Sequence, residues 1–128
     1  MSVRIVRLGT PRMPGEGTRI GTVRRPPRGV PKAEFSRRNW YDVWFPNLAP
    51  SAETMKFGQR AKTQAEWAVF VRRYRAEMAA PQAKHDLGLL VAFSRTTNFS
   101  VGCYCEDENH CHRSILKRLL VENGARVE

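Results

Sequence analysis

The sequence is short of acid, of cysteine and of long apolar runs, and each shortage excludes something. No stretch approaches the length of a membrane span, and the N-terminal MSVRIVRLG lacks a secretory h-region, so a soluble, cytoplasmic protein with no membrane partner is expected. Three cysteines are an odd number crowded into residues 103–111, so no disulfide framework is expected and reduced thiols are the default. CxxC is absent, as are repeats, low-complexity tracts and any internal domain boundary. A length of 128 residues, 41% hydrophobic content and three tryptophans suit one packed domain.

Acid is scarcest at the start of the chain. The formal net charge is +10, and residues 1–40 carry ten Lys/Arg against two Asp/Glu. An N-terminal third this basic favours an anionic partner: a nucleotide, a nucleic acid or a phosphorylated metabolite. The competing explanation is a solvated, arginine-rich surface, since seventeen of the 22 cations are Arg.

Val3 to Leu8 alternates apolar and basic residues, which predicts a half-buried strand, and Gly9 to Gly17 predicts a loop. Ile20 to Val23 predicts a second strand, ended by Pro26 and Pro27. The following RRPPRGVPK (24–32) is an extended basic loop in which Arg25 and Arg28 are candidates for an anion clamp, or carry ordinary surface charge. Trp40 to Phe45 is the most aromatic run and reads as a third strand or a pocket wall. Ser51 caps a helix from Ala52 to about Phe57. Thr63–Glu66 is a capping box for a helix in which Trp67, Phe70, Val71, Tyr74 and Met78 recur at helical spacing up to Pro81. A further helix is expected from about Gln82 to Arg95, and a last short strand at Ala125 to Glu128.

Phe99 to Leu120 gathers the reactive side chains. It predicts an interior strand (Phe99, Val101, Cys103 to Cys105), an acidic turn, and a helix capped by Asp107 or Asn109 with Ile115, Leu116, Leu119 and Leu120 on its apolar face. Open α/β sheets place ligands where a strand ends and a helix begins. Cys103 and Cys105 share a strand face opposite Tyr104. Cys111, His112 and Arg113 form the helix's first turn, with His112 toward the sheet and Arg113 toward a groove.

Four readings of this junction stay open. In the first, Arg113, Ser114 and the helix amides hold a phosphate or carboxylate, with Glu106 or His112 as acid/base and Cys105 or Cys111 as nucleophile. In the second, Cys103, Cys105, Cys111 and His112 bind a metal, although C-x-C-x5-C-H departs from common zinc spacings. In the third, Cys105 and Cys111 are a redox pair. In the fourth, the cysteines are small buried packing residues, and the histidine and arginine cap local structure. A phosphatase loop is excluded, because the sixth residues after the three cysteines are Asn109, Cys111 and Lys117 where an Arg is needed.

Cys105-Glu106 followed by Cys111-His112-Arg113 resembles the C-x-E…CHR signature of the domain of unknown function 488 family. Arg28-Gly29-Val30-Pro31-Lys32, Leu48-Ala49-Pro50-Ser51 and the Trp67–Tyr74 helix resemble the corresponding segments of its YeaO-like branch. The resemblance implies a compact α/β domain with a mostly parallel sheet and supplies no biochemical activity. Two departures stand out. Val23-Arg24-Arg25 replaces a frequent Val-Asp-Arg, and the Cys-His-Arg triplet is retained where the branch often lacks it. The first removes a carboxylate and adds a cation; the second implies that cysteine chemistry is not the branch's common denominator, which moves weight to anion binding through Arg25, Arg28 and Arg113.

The expectation carried forward is a single α/β domain with a small, mostly parallel sheet flanked by helices. It would bind a nucleotide-like or phosphorylated anion at the Cys105–Arg113 junction, as a hydrolase or transferase. Cys105, Glu106, Cys111 and His112 are the catalytic candidates; Arg25, Arg28, Arg113 and Ser114 are the anion-binding ones. No cofactor and no metal is assigned. The alternative is a non-catalytic module that binds nucleic acid through the basic N-terminal third.

Overall fold

A computed structural model describes residues 1–128 apart from the side chain of Glu108. Four strands, β1 (Val3–Arg7), β2 (Thr18–Gly21), β3 (Val43–Trp44) and β4 (Phe99–Cys103), form one sheet in the order β1-β4-β2-β3, every pair parallel. Four helices, α1 (Ala52–Arg60), α2 (Gln64–Met78), α3 (Pro81–Phe93) and α4 (His112–Glu122), complete the α/β fold. The last strand in sequence is thus central, paired on both sides. All five of its residues are buried, as its unbroken FSVGC composition requires.

One sheet face carries the main core. Val3, Phe99 and Val101, with Ile5 and Ile20 partly buried, pack against Phe70, Tyr74 and Met78 of α2, Leu87 and Leu90 of α3, and Ile115, Leu116 and Leu120 of α4. Leu116 and Leu120 are fully buried; each contributes about 2 kcal/mol by leaving water. The Tyr74 hydroxyl, buried with them, donates to the Leu48 carbonyl at 2.7 Å. Among the described residues no helix is long and apolar enough to cross a membrane.

Two helix starts match their sequence signals. The Ser51 hydroxyl accepts from the Thr54 amide at 3.3 Å, and the Thr63 hydroxyl from the Glu66 amide at 3.1 Å. Other boundaries differ. Pro81 begins α3 instead of only closing α2, because its missing N–H is no loss in a first turn. The aromatic run yields only the exposed two-residue β3. The expected terminal strand is a single parallel bridge between Val127 and Val3. Strand β4 ends at Cys103, not Cys105, and α4 is preceded by Cys111, not by Asp107 or Asn109. Asp107 instead accepts the Asn109 amide at 2.9 Å, capping a short 3-10 turn before the helix.

The other face of the sheet is covered by loops, and its centre is charged. Arg19 is fully buried and Glu16 nearly so. The Glu16 carboxylate accepts from Arg19 Nε at 2.8 Å, Arg19 Nη2 at 3.0 Å and the Ser100 hydroxyl on β4 at 2.7 Å. The remaining arm of Arg19, Nη1, donates to the carbonyls of Thr10 and Asn39, both at 2.8 Å. Gly21 admits the Tyr41 ring onto this face: a Cβ there would lie 2.3 Å from the ring. Burial pushes the Glu16 carboxyl up, but Arg19, Ser100 and the Met13 amide outweigh it and bring it to about 2.

Removing one partner of such a pair leaves a buried charge alone. Arg19→Met should therefore cost about 3–5 kcal/mol, read as a fall in the urea midpoint. Since folding lowers the Glu16 pKa from its ordinary 4.5 to about 2, its stabilisation is complete above the first value and is lost as pH falls through the second. Urea midpoints between pH 6 and pH 2 should show this acid limb in the native sequence and a shallower one in Arg19→Met.

Candidate functional site

Parallel strands deliver their following residues to one edge of the sheet, and there the chain gathers its reactive groups. Tyr104 and Cys105, which follow β4, leave toward different cavities. Tyr104 lines a cavity of about 450 Å³ with Arg7 and Leu8 from the end of β1, Arg25 to Arg28 from the loop after β2, and Trp40. Cys105 lines a smaller one of about 240 Å³ with Cys111, His112, His110, Trp67 and Phe70.

The larger cavity is basic and aromatic. Arg7, Arg25 and Arg28 are all exposed. The Tyr104 hydroxyl donates to the Arg25 carbonyl at 2.8 Å, fastening the Pro-rich loop to the end of β4. Trp40 and Tyr104 meet edge to face at 5.8 Å. Trp40 is seated by Gly9, whose φ of +90° and close approach to the indole exclude a Cβ (2.9 Å from the ring). Arg7 Nε donates to the Tyr104 carbonyl at 3.4 Å, and its Nη2 lies 3.5 Å from the Glu106 carboxylate. Glu106 is thereby held beside a lining residue of the cavity, largely in solvent. Arg24, where the resemblance leads one to expect a carboxylate, donates to the carbonyls of Pro50 and Ala49 at 3.0 and 3.1 Å and straps the two loops together.

The smaller cavity borders a buried cluster. Cys103, Cys111 and His112 are buried, and their donor atoms lie within 4.8 Å of one another. His112 Nε2 is 2.7 Å from the Thr22 carbonyl; a carbonyl only accepts, so Nε2 carries the proton and Nδ1 is bare, 3.8 Å from Cys111 Sγ. Burial drives the His112 pKa down to about 4, opposed by the Thr22 bond and helped by Arg113 and Arg24, so the ring is neutral at pH 7. The structure records the sulfurs of Cys103 and Cys111 as a bonded pair, with Cα atoms 7.9 Å apart. Of the four readings, the redox pairing of Cys105 with Cys111 is not the one brought together: Cys111 meets Cys103, and Cys105 is the free, exposed cysteine. Partial burial raises the Cys105 thiol pKa, against the pull of Arg113 and Arg7.

The candidate residues therefore separate. Arg25 and Arg28 line one cavity; Cys105, Cys111 and His112 line the other; Glu106 stands beside Arg7. Arg113 is buried instead of facing a groove, with Nη2 3.4 Å from the Glu106 carbonyl. The Ser114 hydroxyl is turned back to the Cys111 carbonyl at 2.9 Å. Among the described residues neither lines either cavity. The first turn of α4 is covered, so an anion cradle made of its amides is not what this edge of the sheet offers. Arg7 and Tyr104 went unnoticed in the sequence as cavity residues. The only signal for them was position, each lying at or just past a strand end. Trp40 is the pocket wall that its aromatic run allowed.

A model of one family, described as the active DUF488-N3 subclade (DUF488-N3a), matches residues 3–124. The expected kinship with the domain of unknown function 488 is thus met, while the match says nothing of a YeaO-like branch. No curated protein and no solved structure matches the chain.

The His112–Thr22 bond makes a prediction of its own. His112→Leu keeps the volume but leaves the Thr22 carbonyl without its donor, and should lower stability by about 1–3 kcal/mol in urea titration.

Proposed function

The chain belongs to the DUF488-N3a family, and from that premise we propose that it binds a nucleotide-like or otherwise phosphorylated ligand in the cavity between Arg7, Arg25, Arg28, Trp40 and Tyr104. One observation carries the reading: three exposed guanidinium groups and two aromatic side chains converge on a single cavity at the carboxyl edge of a parallel sheet. Guanidinium forks suit phosphate oxygens, and aromatic faces suit a base or another flat ring. Glu106 is the general base in this reading, a carboxylate placed beside the cavity through Arg7. The family description as an active subclade supports a reaction of some kind; our reading makes it a hydrolase or transferase reaction at this edge, in a cytoplasmic setting.

A second reading keeps the basic N-terminal third as a nucleic-acid surface without chemistry. The exposed Lys32, Arg37 and Arg38 beyond the cavity favour it. Salt separates the two. Binding of mixed-sequence DNA or RNA through several phosphates falls steeply with salt, whereas one small ligand in a cavity saturates at a defined stoichiometry.

Titration of nucleoside mono- and diphosphates, followed by tryptophan fluorescence, should show saturable binding. Arg25→Ala and Arg28→Ala should each weaken it by about tenfold, and Arg113→Ala should leave the affinity of the folded protein nearly unchanged. Indifference to both cavity substitutions would sink the reading. If turnover is found, Glu106→Gln should reduce kcat while sparing affinity.

A further inference from the structure

We propose that Cys103, Cys111 and His112 form a metal site for a zinc-class divalent cation, a reading independent of the anion cavity. Two thiolate sulfurs and one imidazole nitrogen within 4.8 Å of one another are the donor set that zinc selects.

Three further observations support it. First, the Cα atoms of Cys103 and Cys111 are 7.9 Å apart, outside the roughly 4.4–6.8 Å over which disulfides form without backbone movement. Two cysteines that share an ion are not bound by that limit, because the metal lengthens the bridge between their sulfurs. Second, His112 is already oriented as a metal ligand. Its Nε2 proton is given to the Thr22 carbonyl at 2.7 Å, leaving Nδ1 bare on the side of Cys111, which is the outer-shell arrangement that fixes ligating histidines. Third, the ligands sit on ordered elements. Cys103 is the last residue of the central strand, Cys111 immediately precedes α4, and His112 is its first residue.

Charge bookkeeping agrees with the burial. A lone buried thiolate is costly, but two thiolates around a dication sum to zero, and a neutral cluster can lie inside the fold. Binding is a proton exchange without electron transfer: the two thiols lose their protons as the two sulfur–metal bonds form. Two of the three ligands, Cys111 and His112, also line the 240 Å³ cavity that Cys105 enters. That cavity would give a water or an incoming ligand access to a bound ion. A closed four-protein-ligand set is not needed.

The test uses the full chain, purified without added metal, with thiols alkylated in denaturant before any reduction. Elemental analysis should find about one zinc per chain, and mass spectrometry three alkylated cysteines. Protein obtained metal-free is reduced and titrated with Co²⁺, which should give thiolate-to-cobalt absorption that added Zn²⁺ abolishes. Absence of both isolated zinc and this absorption overturns the proposal, whatever the thiol count. The cobalt experiment needs no variant, so it decides the matter even if ligand substitutions fail to fold. Where they fold, Cys103→Ser and His112→Ala should weaken Co²⁺ affinity more than tenfold, and Cys105→Ser should not. The reverse pattern overturns the ligand assignment.

Discussion

A guanidinium at the centre of a small protein has to be paired on every arm, and the loop-covered half of this molecule is arranged around that requirement. Arg19 is fully buried, and its three nitrogens reach the Glu16 carboxylate and the carbonyls of Thr10 and Asn39. Those partners lie in two separate loops, so satisfying one side chain fixes both loops against β2 and β4. The effect continues outward. The Asn39 carbonyl also accepts the Gly9 amide at 2.8 Å, and Gly9 seats the Trp40 ring. A hidden ion pair thereby sets the wall of the basic cavity, although neither Glu16 nor Arg19 lines it. Such a pair is a weak source of net stability, because desolvation offsets much of the attraction. What it secures here is the positions of the loops.

The carboxyl edge of the sheet divides its chemistry at one peptide unit. Past the end of β4, Tyr104 goes to the arginine-lined cavity and Cys105 to the cysteine- and histidine-lined one. Each region is tied back to a strand end by hydrogen bonds or an ion pair. Arg7 touches both the Tyr104 carbonyl and Glu106, and His112 is tied to the strand-end residue Thr22. Tyr104 and Cys105 are consecutive in the chain, so the backbone that sets one side chain in its cavity also sets the other.

Much of the fold was legible in the residues because local rules decided it. The capping hydroxyls of Ser51 and Thr63, the helical spacing of Phe70, Tyr74 and Met78, and the aromatic, β-branched and small residues of Phe99 to Cys103 act over a few residues at a time. What the sequence concealed was long-range. Glu16 and Arg19 are three apart and resemble any surface pair; only the approach of Ser100, 84 residues away from Glu16, shows that they are buried. The aromatic run from Trp40 to Phe45 fits a strand by composition, yet the edge of the sheet pairs only Val43 and Trp44, and Tyr41 turns inward over Gly21. In the candidate site, Arg25 and Arg28 could be read from charge and the Pro-rich loop. Their companions Arg7 and Tyr104 come from other strand ends and carry no local signal.

The misplacement of Arg113 has a physical cause. A helix N-terminus at a strand end attracts anions when its amides are open, and the run Cys111-His112-Arg113 was read as such an opening. The same three residues are also the ones that bury the start of α4. Cys111 packs with Leu8, Val23, Tyr41 and Cys103, while His112 sinks to the Thr22 carbonyl. Once those two side chains turn inward, the helix end is covered and Arg113 follows it beneath the surface. The guanidinium groups that stay exposed are those of the Pro-rich loop after β2, where Arg25 and Arg28 remain in solvent. Arg24 shows how closely the two roles lie in sequence: one position earlier, the same kind of side chain is spent on the Ala49 and Pro50 carbonyls and holds the loops together. Residue type alone did not separate the structural arginine from the available ones; the hydrogen-bond partners did.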